Sequence, residues 1–500
     1  MPGTARVDLD PSGLSLHVEP GAGLQDLLFS HGVEFPCGGG GRCRGCRVRV
    51  LEGTLPASPQ DRALLGAAEL DAGWRLACQA RVTGNLRLHL AQWETRILGD
   101  HRPFPFEPQE GIGAAVDLGT TTLVAQLVDL TTGQVLATRS ALNEQARYGG
   151  DIMSRIGFAM RDGSGALTSI VRAQVGGLIR EMLPAAGPRL RQVVLAGNTA
   201  MHHLFCGIGV EPLAHHPFQP LEEGLQTFTG DELGWEFPAA PQVRCLPCLA
   251  GFVGGDLLAG LLATGIHQRP GLELLIDLGT NGELLLGNRE RILCTSTAAG
   301  PAFEGARISM GMRASTGAIS EARIHEGELR CRVIGGEEPR GLCGSGLVDV
   351  VAAGLDLGWI LPSGRLTRTV MPVAGTVSLH QCDVRELQLA KGAVAAGIRI
   401  LARHWGAPVD AIERVHLAGA FGNYINPESA RRIGLLGFPG GRVTPCGNSS
   451  LRGAKIALCG LGQDPGTHQP VRDLVEGISL NEDPHFQDAY VDEMAFPARV

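Results

Sequence analysis

Hydrophobic and polar positions alternate along the first part of the chain, which is the pattern of short, half-buried β-strands. Two brief helical stretches interrupt the alternation, and turn residues separate the strands. Residues 1–94 are therefore predicted to form a small β-rich domain. The predicted strands are Arg6–Leu9, Leu14–Val18, Cys46–Glu52, Trp74–Ala80 and Asn85–Leu90, and the predicted helices are Leu24–His31 and Pro59–Leu65.

The pattern changes after a proline-rich segment, residues 95–112, which is predicted to be an extended linker. From Gly113 onward, fully apolar strands alternate with stretches of helical periodicity, as in α/β proteins. Residues 464–500 are polar and weakly patterned, and we expect them to lie over the surface. The predicted strands here are Ala114–Leu118 and Leu123–Leu130, and the predicted helices are Gly149–Ala159, Ser169–Leu183, Gly255–Thr264 and Val384–Trp405.

One strand-turn-strand pattern occurs twice in this α/β region. Residues 116–122 read Val-Asp-Leu-Gly-Thr-Thr-Thr, and residues 276–282 read Ile-Asp-Leu-Gly-Thr-Asn-Gly. In each copy an apolar strand ends near an aspartate and passes through a Gly-Thr turn into a second strand. The repeat predicts two similar lobes, residues 113–265 and 266–463.

Composition and charge exclude several classes of protein. The formal net charge is −8 and there is no long basic run, so a nucleic-acid partner is not expected. No run of 18 uncharged apolar residues is present, and the N-terminus lacks the apolar core of a signal peptide, so no membrane span is expected. An odd count of 13 cysteines without disulfide-like spacing favours a reducing cytoplasm.

Four cysteines of the N-terminal domain carry candidate chemistry. Cys37, Cys43 and Cys46 form a C-x5-C-x2-C loop rich in glycine, and Cys78 follows at a distance. Three close thiolates plus one distant thiolate are how ferredoxins hold a [2Fe–2S] cluster, and strands crossed by one helix suggest the β-grasp fold of ferredoxins. The alternative is a structural zinc site, which usually pairs two C-x2-C knuckles, and the second knuckle is missing here.

The repeated turns suggest a phosphate site. A buried strand that ends in a carboxylate needs a cation or hydrogen bonds, and Asp117 and Asp277 could hold Mg²⁺ through water or orient an attacking water. The turns would point backbone N–H groups and hydroxyls into one concavity. A purely structural turn is the alternative for each copy taken alone. The predicted phosphate-binding residues are Gly119, Thr120, Thr121 and Thr122 in the first copy and Gly279, Thr280 and Asn281 in the second.

A third segment, residues 415–423, is a strand that runs into a turn of small residues. Gly419, Ala420 and Gly422 would allow a flat base to approach the backbone. Close packing of a strand on a helix explains this segment equally well when it is taken alone.

Together these motifs resemble those of a known superfamily. The three segments match the phosphate-1, phosphate-2 and adenosine segments of the ASKHA superfamily, which includes sugar kinases, heat-shock chaperones and actin. Combined with a [2Fe–2S] domain, they resemble the ATP-dependent reductive activators of corrinoid proteins. Residues 143–151, 197–204, 251–256, 299–306 and 341–347 are also similar to that family.

The resemblance implies a multidomain α+β fold, with an N-terminal β-grasp ferredoxin domain followed by a two-lobed, actin-like α/β ATPase domain. It implies that Asn423 joins the adenosine segment. It further suggests Glu304 as a nucleotide contact, with a buried hydrogen-bonded carboxylate as the alternative, and Gly344 and Ser345 as a further nucleotide turn.

The implied activity is the reduction of an oxidised corrinoid protein of a methyltransferase system from Co(II) to Co(I), with ATP and Mg²⁺ as cofactors beside the cluster. Plant-type [2Fe–2S] clusters have reduction potentials of about −400 mV. For a one-electron transfer, each 59 mV by which the donor potential is too high lowers the equilibrium constant about tenfold. ATP would therefore supply the missing driving force. No flavin or NAD(P) fingerprint is evident, so a separate ferredoxin or flavoprotein would donate electrons. Whether the protein forms a homodimer is left open by the resemblance.

Three alternatives remain at this point. The chain could be an ASKHA small-molecule kinase with an accessory cluster, although no phosphoryl-acceptor site is visible. It could activate a radical dehydratase or another low-potential metalloenzyme, although such activators lack a ferredoxin domain. It could also be a nucleotide-switched, redox-sensing binding module without turnover.

Several further cysteines and histidines are interpreted as structural. Cys245 and Cys248 form a C-x2-C pair, but no second pair lies at metal spacing, so packing is favoured. Adjacent His202 and His203 point in different directions on a helix, which favours packing, with contact to the corrinoid partner as the alternative. Buried apolar roles are expected for Cys206, Cys294, Cys331, Cys343, Cys382, Cys446 and Cys459.

Overall fold

The structure is a computed structural model. Of the predicted site residues, Cys37, Cys43 and Thr280 lie outside the described residues, and only the backbone is described at Ala420. Within the described part of the chain, no helix is both long and apolar enough to cross a bilayer. The described residues are 4–10, 12–29, 31, 33, 35, 39–41, 46–90, 99–184, 189–279, 281–305, 307–460 and 469–498.

The N-terminal domain is a mixed sheet with one helix packed against it. The strand order is β2-β1-β5-β3-β4, with β1 parallel to β5 and antiparallel to β2. Inward-facing Val7, Leu9, Val48 and Leu88 are fully buried, as strict alternation requires. The elements are β1 (Ala5–Asp10), β2 (Leu14–Val18), α1 (Leu24–Phe29), β3 (Arg47–Glu52), α2 (Pro59–Leu64), α3 (Ala67–Asp71), β4 (Trp74–Leu76) and β5 (Leu86–Leu90).

The prediction of a strand over Trp74–Ala80 was wrong for the second half of that segment. The strand ends at Leu76, and Ala77–Gln79 form one turn of 3₁₀ helix. Alternation cannot reveal this turn, which places Cys78 beside the segment of Cys46. The short helix Ala67–Asp71 was also missed, because five residues are too few for a helical period.

The first lobe of the α/β region is built on a sheet with the order β10-β11-β9-β6-β7-β8. Strands β6, β7 and β8 form an antiparallel meander, and β9 joins β6 in parallel after two helices. The elements are β6 (Ile112–Leu118), β7 (Thr122–Asp129), β8 (Val135–Leu142), α4 (Ile152–Asp162), α5 (Gly165–Met182), β9 (Leu190–Gly197), α6 (Thr199–Cys206), β10 (Gln226–Thr229), β11 (Gln242–Cys245) and α7 (Gly255–Thr264).

The second lobe repeats this arrangement in a sheet with the order β21-β20-β12-β13-β14-β22. Strands β12, β13 and β14 form the same antiparallel meander, and β20 joins β12 in parallel. The elements are β12 (Glu273–Leu278), β13 (Gly282–Gly287), β14 (Ile292–Thr297), β15 (Ala318–His325), β16 (Glu328–Val333), β17 (Gly341–Leu342), α8 (Gly344–Asp356), β18 (Met371–Ala374), β19 (Val377–Leu379), α9 (Gln381–Trp405), β20 (Arg414–Ala418), α10 (Gly419–Gly422), α11 (Pro427–Arg432), β21 (Val443–Gly447), α12 (Ser449–Cys459), α13 (Gln469–Arg472), β22 (Val475–Gly477) and α14 (Phe486–Met494).

Two helices cross between the lobes. Helix α7 leaves the first sheet and packs on the second, whereas α12 leaves the second sheet and packs on the first. They meet at Gly453, where an added Cβ would lie 1.9 Å from the carbonyl oxygen of Ala259. Only glycine allows the two helices to cross so closely. The lobes are therefore joined where α7 and α12 cross.

The C-terminal tail differs from its prediction as a polar surface segment. Strand β22 extends the second sheet beside β14, and α14 packs on α9. Phe496 is 3% exposed and belongs to the core of the second lobe. The buried ammonium of Lys391 donates a hydrogen bond to the carbonyl oxygen of Ala495 at 2.7 Å. A few apolar anchors in a polar sequence give too weak a pattern to reveal these elements.

The proline-rich segment is extended, as predicted, but its described part is docked along α12. Phe104 and Phe106 pack on the apolar face of that helix. Asp100 is 3% exposed and forms an ion pair with fully buried Lys455 at 3.1 Å. Because Asp100 also bonds Arg102, the segment is fixed to the helix by both charge and apolar contact.

Candidate functional site

The first Gly-Thr turn connects β6 to β7 and is held from outside by two asparagines. A Cβ on Gly119 would lie 2.4 Å from the carbonyl oxygen of Thr122, so the turn requires glycine. Asn143 donates to the carbonyl oxygen of Gly119 at 3.0 Å, and Asn198 donates to the hydroxyl of Thr120 at 2.9 Å. These bonds fix the turn in one conformation at the edge of the cleft.

A fully buried arginine supports the same turn. Arg155 donates to the carbonyl oxygen of Thr120 at 2.6 Å, to that of Gly149 at 2.9 Å and to the side chain of Gln145 at 3.1 Å. Burial lowers the pKa of Arg155 to about 10, so the guanidinium still carries its charge at neutral pH. Positive charge is thus present directly behind the first turn, where a phosphate would benefit from it.

The second turn, between β12 and β13, lies against the third segment. The amide of Gly279 donates to the carbonyl oxygen of Asn281 at 3.0 Å, which brings the two described ends of this turn together. Gly419 has a φ of +84°, and a Cβ there would lie 2.8 Å from Oδ1 of Asp277. The predicted adenosine segment and the predicted second phosphate turn are therefore direct neighbours, although 140 residues separate them.

Four carboxylates face one another in the cleft, and burial raises the pKa of each. The pKa of Asp117 is raised to about 6. The pKa of Asp256 is raised to about 7 by burial and by Asp117, and that of Asp277 to about 7 by burial and by the two other aspartates. Burial, with Asp256 and Asp277, also raises the pKa of Glu283. Such a cluster is stabilised by a cation.

The carboxylates are spread out rather than focused on one point. Among the described residues, no three of them place oxygen atoms within 4.8 Å of one another. This spacing suits a hydrated Mg²⁺, which keeps several waters and takes few protein ligands directly. The donor chemistry is therefore compatible with Mg²⁺ bound beside phosphates.

The first turn of α12 reaches the aspartates of both repeats. Asn448 donates to one oxygen of Asp117 at 2.8 Å, and Ser450 donates to the other at 3.2 Å. The hydroxyl of Ser449 faces Asp277 and opposes the rise of its pKa, although it makes no hydrogen bond of normal geometry among the described residues. One crossing helix thus connects the carboxylates of the two lobes.

The region around the third segment is built by two stacked rings. Phe303 and Phe421 stack with ring centres 4.6 Å apart. A Cβ on Gly344 would lie 1.9 Å from the carbonyl oxygen of Phe303, so α8 begins tightly against this pair. The Ser345 hydroxyl donates to the carbonyl oxygen of Ser320 at 2.9 Å and is already used in holding the fold.

The remaining predicted nucleotide residues divide into two groups. Glu304, Gly344, Ser345 and Gly419 line the cleft together with both turns. Gly422 and Asn423 do not line it. The contribution of Gly422 is packing, because a Cβ there would lie 3.0 Å from the side chain of Leu417.

Of the four predicted cluster ligands, Cys46 and Cys78 lie within the described residues. Cys46 is 1% exposed, and its carbonyl oxygen accepts a hydrogen bond from the amide of Ala77 at 3.0 Å, which holds Cys78 nearby. Gln79 donates to the carbonyl oxygen of Gly39 at 3.0 Å and contacts the sulfur of Cys78 at 3.5 Å. Gln79 thereby links Gly39 of the glycine loop to Cys78, which fits a cluster held by this loop and Cys78.

One cleft of about 3240 Å³ connects the cysteine loop with the two turns. Gly40, Trp74 and His89 of the N-terminal domain line this cleft, and so do the four carboxylates. His89 lies close enough to Arg340 of the second lobe for that charge to reinforce the lowering of its pKa by burial. The cleft is several times larger than an ordinary small-molecule pocket, which is about 300–1,000 Å³.

The N-terminal domain also contacts the first lobe directly. The guanidinium of Arg147 lies 5.1 Å from the ring centre of Phe29 and 3.8 Å from Asp26 of α1. Leu142 and Ala146 complete the core of the N-terminal domain from the lobe side. The contact therefore uses the same segment, 142–147, that supports the first turn through Asn143 and Gln145.

Sequence reasoning missed several residues of this site. Asp256 and Glu283 join the carboxylates, Asn448 and Ser450 bind Asp117, and Arg155 supports the first turn. Only Asp256 carried a signal, because it ends the family-like stretch 251–256. Among the dismissed cysteines, the expectation of burial was wrong for Cys382, which is exposed, and for Cys331, which is only half-buried.

Comparisons with known proteins agree with this arrangement. Residues 7–83 match the family described as a 2Fe-2S iron-sulfur cluster binding domain, residues 112–269 match the RACo middle region, and residues 271–500 match the C-terminal domain of RACo, the ASKHA domain. The N-terminal match supports an iron-sulfur cluster as a cofactor.

Two curated relatives and one solved structure share most of the chain. A corrinoid activation enzyme, RamQ, of Eubacterium limosum is 33% identical over 82% of this chain and 74% of its own. The [Co(II) methylated amine-specific corrinoid protein] reductase of Methanosarcina barkeri is 26% identical over 68% of each chain. The structure of a reductive activator for corrinoid, iron-sulfur protein matches with a TM-score of 0.68 and 27% identity, over 99% of this chain and 98% of that one. The chain therefore belongs to the RACo family, with a ferredoxin-type N-terminal domain followed by an ASKHA-type domain.

Proposed function

We propose that this protein reductively activates the corrinoid protein of a methyltransferase system, in a reaction driven by ATP. One electron passes from the [2Fe–2S] cluster to Co(II), which regenerates Co(I). The observation that carries the proposal is the single cleft that joins the cysteine loop to both phosphate turns. An electron carrier would need only the first of these sites, and a kinase only the second.

In this proposal Cys37, Cys43, Cys46 and Cys78 hold the cluster, which supplies electrons one at a time. The described residues support the assignment. Gln79 ties the glycine loop to the strand side of the site, and burial of Cys46 keeps water from one face. Amides of the glycine loop would moderate the negative charge of the cluster and tune its potential.

The two turns would hold the phosphates of ATP between the lobes, with Gly119 to Thr122 on one side and Gly279 to Asn281 on the other. Mg²⁺ would compensate the carboxylates, and Asp117 and Asp277 would orient it and the attacking water. Arg155 favours phosphate at the first turn because it places a buried positive charge behind that backbone. The stacked rings beside Gly419 offer an apolar edge for the base.

The coupling of ATP to electron transfer is supported by a chain of contacts between the two sites. Helix α1 contacts Arg147, and the segment of Arg147 positions Asn143, which bonds the first phosphate turn. A movement of that turn on nucleotide binding or hydrolysis would therefore shift the N-terminal domain relative to the cleft. Such a shift could alter access to the partner's cobalt, and with it the driving force.

The size of the cleft supports a protein partner rather than a small substrate. A nucleotide would fill only a fraction of about 3240 Å³. The remaining space near Gly40 and Trp74 would admit part of the corrinoid protein. A separate one-electron donor, a ferredoxin or flavoprotein, would reload the cluster.

The test uses the full-length protein with its cluster reconstituted and a corrinoid protein poised as Co(II). A chemical donor is held at a potential that reduces the cluster but not the cobalt. With Mg-ATP, the absorbance of Co(I) should appear, and without ATP or in Asp277→Asn the rate should fall by at least about tenfold. The variant Asp488→Asn, at an exposed position on α14, is the matched control. Equal rates with and without ATP would refute the proposal.

A further inference from the structure

Helix α6 and the end of β11 bring together three metal-binding side chains outside the cleft. His202 and Cys206 stand one helical turn apart on the same face of α6, and Cys245 ends β11. One ligand atom from each residue lies within 4.8 Å of the other two, and all three residues are buried. Among the described residues, no other group of three such side chains converges in this way.

The geometry is close to that of a tetrahedral metal site. Zn–S bonds of about 2.3 Å and Zn–N bonds of about 2.0 Å place ligand atoms about 3.5–3.8 Å apart in a tetrahedron. Separations of up to 4.8 Å therefore need to shorten by at most about 1.3 Å. Ordinary rotation about the χ angles of cysteine and histidine can provide this movement.

The two ring nitrogens of His202 differ in their contacts, because Nδ1 lies 3.5 Å from Nδ1 of His203. His202 is fully buried, and its Nε2 makes no hydrogen bond among the described residues. An unsatisfied buried nitrogen destabilises the folded state, and a bound metal ion would remove that cost.

A fourth ligand is available from the same loop. Cys248 follows Cys245 by three residues and is 0% exposed, and its sulfur, which lies outside the group of three convergent ligand atoms, would have to move towards them. We propose that His202, Cys206, Cys245 and Cys248 bind one zinc-like divalent transition-metal ion within the first lobe. The sequence motif is H-x3-C on a helix followed by a C-x2-C knuckle. The second pair of ligands, which the sequence spacing did not reveal, would therefore be His202 and Cys206 on the helix.

The position of the site indicates a structural role. Helix α6 is capped by Asn198, whose side chain also bonds Thr120 of the first phosphate turn. The segment after Cys248 leads to Asp256 and is tied to α6 by a hydrogen bond from Thr199 to the carbonyl oxygen of Ala250 at 3.3 Å. A metal ion here would fix two supports of the nucleotide site to each other without touching the nucleotide.

The experiment measures metal directly and does not depend on activity. The full-length protein with its cluster is incubated with one equivalent of Zn²⁺, desalted and analysed by elemental mass spectrometry. About one zinc per chain should be retained in addition to the iron of the cluster. A parallel sample loaded with Co²⁺ should show the thiolate charge-transfer and visible bands of tetrahedral cobalt.

Variants assign the ligands. Cys206→Ser and Cys245→Ser should each lose the zinc or weaken its retention at least about tenfold, whereas Cys294→Ser, a buried cysteine in the second lobe, should retain it. If a ligand variant does not fold, the cobalt spectrum of the unmodified protein still decides. The proposal is overturned if that protein retains no zinc and shows no tetrahedral cobalt bands, if Cys206 and Cys245 form a disulfide instead, or if folded ligand variants bind zinc unchanged.

Discussion

Asp277 and Glu283 lie directly opposite each other on the antiparallel strands β12 and β13. Like charges at such a position repel, and both carboxylates are also partly buried. The first lobe has no such pair, because Val124 stands opposite Asp117. The two repeats are therefore electrostatically unequal, and the second carries the excess negative charge that a cation bound with the nucleotide would offset.

The first prediction concerns the pH dependence of stability in the metal-free protein. Folding raises the pKa of Asp277 from about 4 to about 7, so the charged form destabilises the folded state and stability is lost as pH rises through this window. Asp277→Asn should therefore raise the free energy of unfolding at both pH values, and by about 1–3 kcal/mol more at pH 8 than at pH 5. Urea denaturation at both pH values measures this.

Asp488→Asn on the exposed face of α14 should change neither value and serves as the control. A loss of stability at pH 8, or an equal effect at both pH values, would show that the carboxylate does not bear the cost assigned to it. A variant that gains stability while losing the response to Mg-ATP would show that the charge is retained for function.

The sequence predicts the two repeated aspartates because each lies near the end of an apolar strand within the same local pattern. It cannot predict Asp256, Asn448 or Ser450 as their partners. Those residues reach the cleft on α7 and α12, whose crossing depends on contacts between positions nearly 200 residues apart. The fold class follows from local periodicity, whereas the completed site depends on tertiary packing.

The cysteines give the same lesson. Taken singly, Cys206 looks like a small apolar residue, and Cys245 and Cys248 look like half of a site. The proximity of Cys206 and Cys245 to His202 appears only when α6 packs beside β11. Sequence spacing can suggest a metal site when the proposed ligands share one loop, as in the C-x5-C-x2-C motif, but not when packing of a helix on a sheet brings them together.

A second prediction tests the crossing of the two helices. Gly453→Ala places a Cβ against the carbonyl oxygen of Ala259, so α7 and α12 must move apart. The free energy of unfolding should fall by about 1–3 kcal/mol. Gly177→Ala on α5 has nothing within 4 Å of the added Cβ and should be neutral or stabilising by up to about 1 kcal/mol. Similar effects of both substitutions would argue against a tight crossing.

A third prediction concerns the docked linker. Lys455→Met leaves the buried carboxylate of Asp100 with Arg102 as its remaining charged contact among the described residues, and should cost about 2–4 kcal/mol. Limited proteolysis should then cut within residues 99–111 several times faster. Adding Asp100→Asn should recover part of the loss, because the unpaired charge is gone. Additive losses in the double variant would mean that the two side chains do not act as a pair.

The last prediction separates ATP hydrolysis from electron delivery. Arg147 contacts Phe29 and Asp26 of the N-terminal domain, and among the described residues it makes no hydrogen bond to the first Gly-Thr turn. Arg147→Ala should leave ATP hydrolysis within about twofold of its original rate and lower ATP-dependent Co(I) formation about three- to tenfold, since a lost contact of about 1 kcal/mol weakens coupling by that factor. Arg139→Ala, at an exposed ion pair with Glu181 on the same lobe, should change neither rate. If Arg147→Ala lowers both rates equally, the contact supports the nucleotide site alone, and the coupling runs through another part of the cleft.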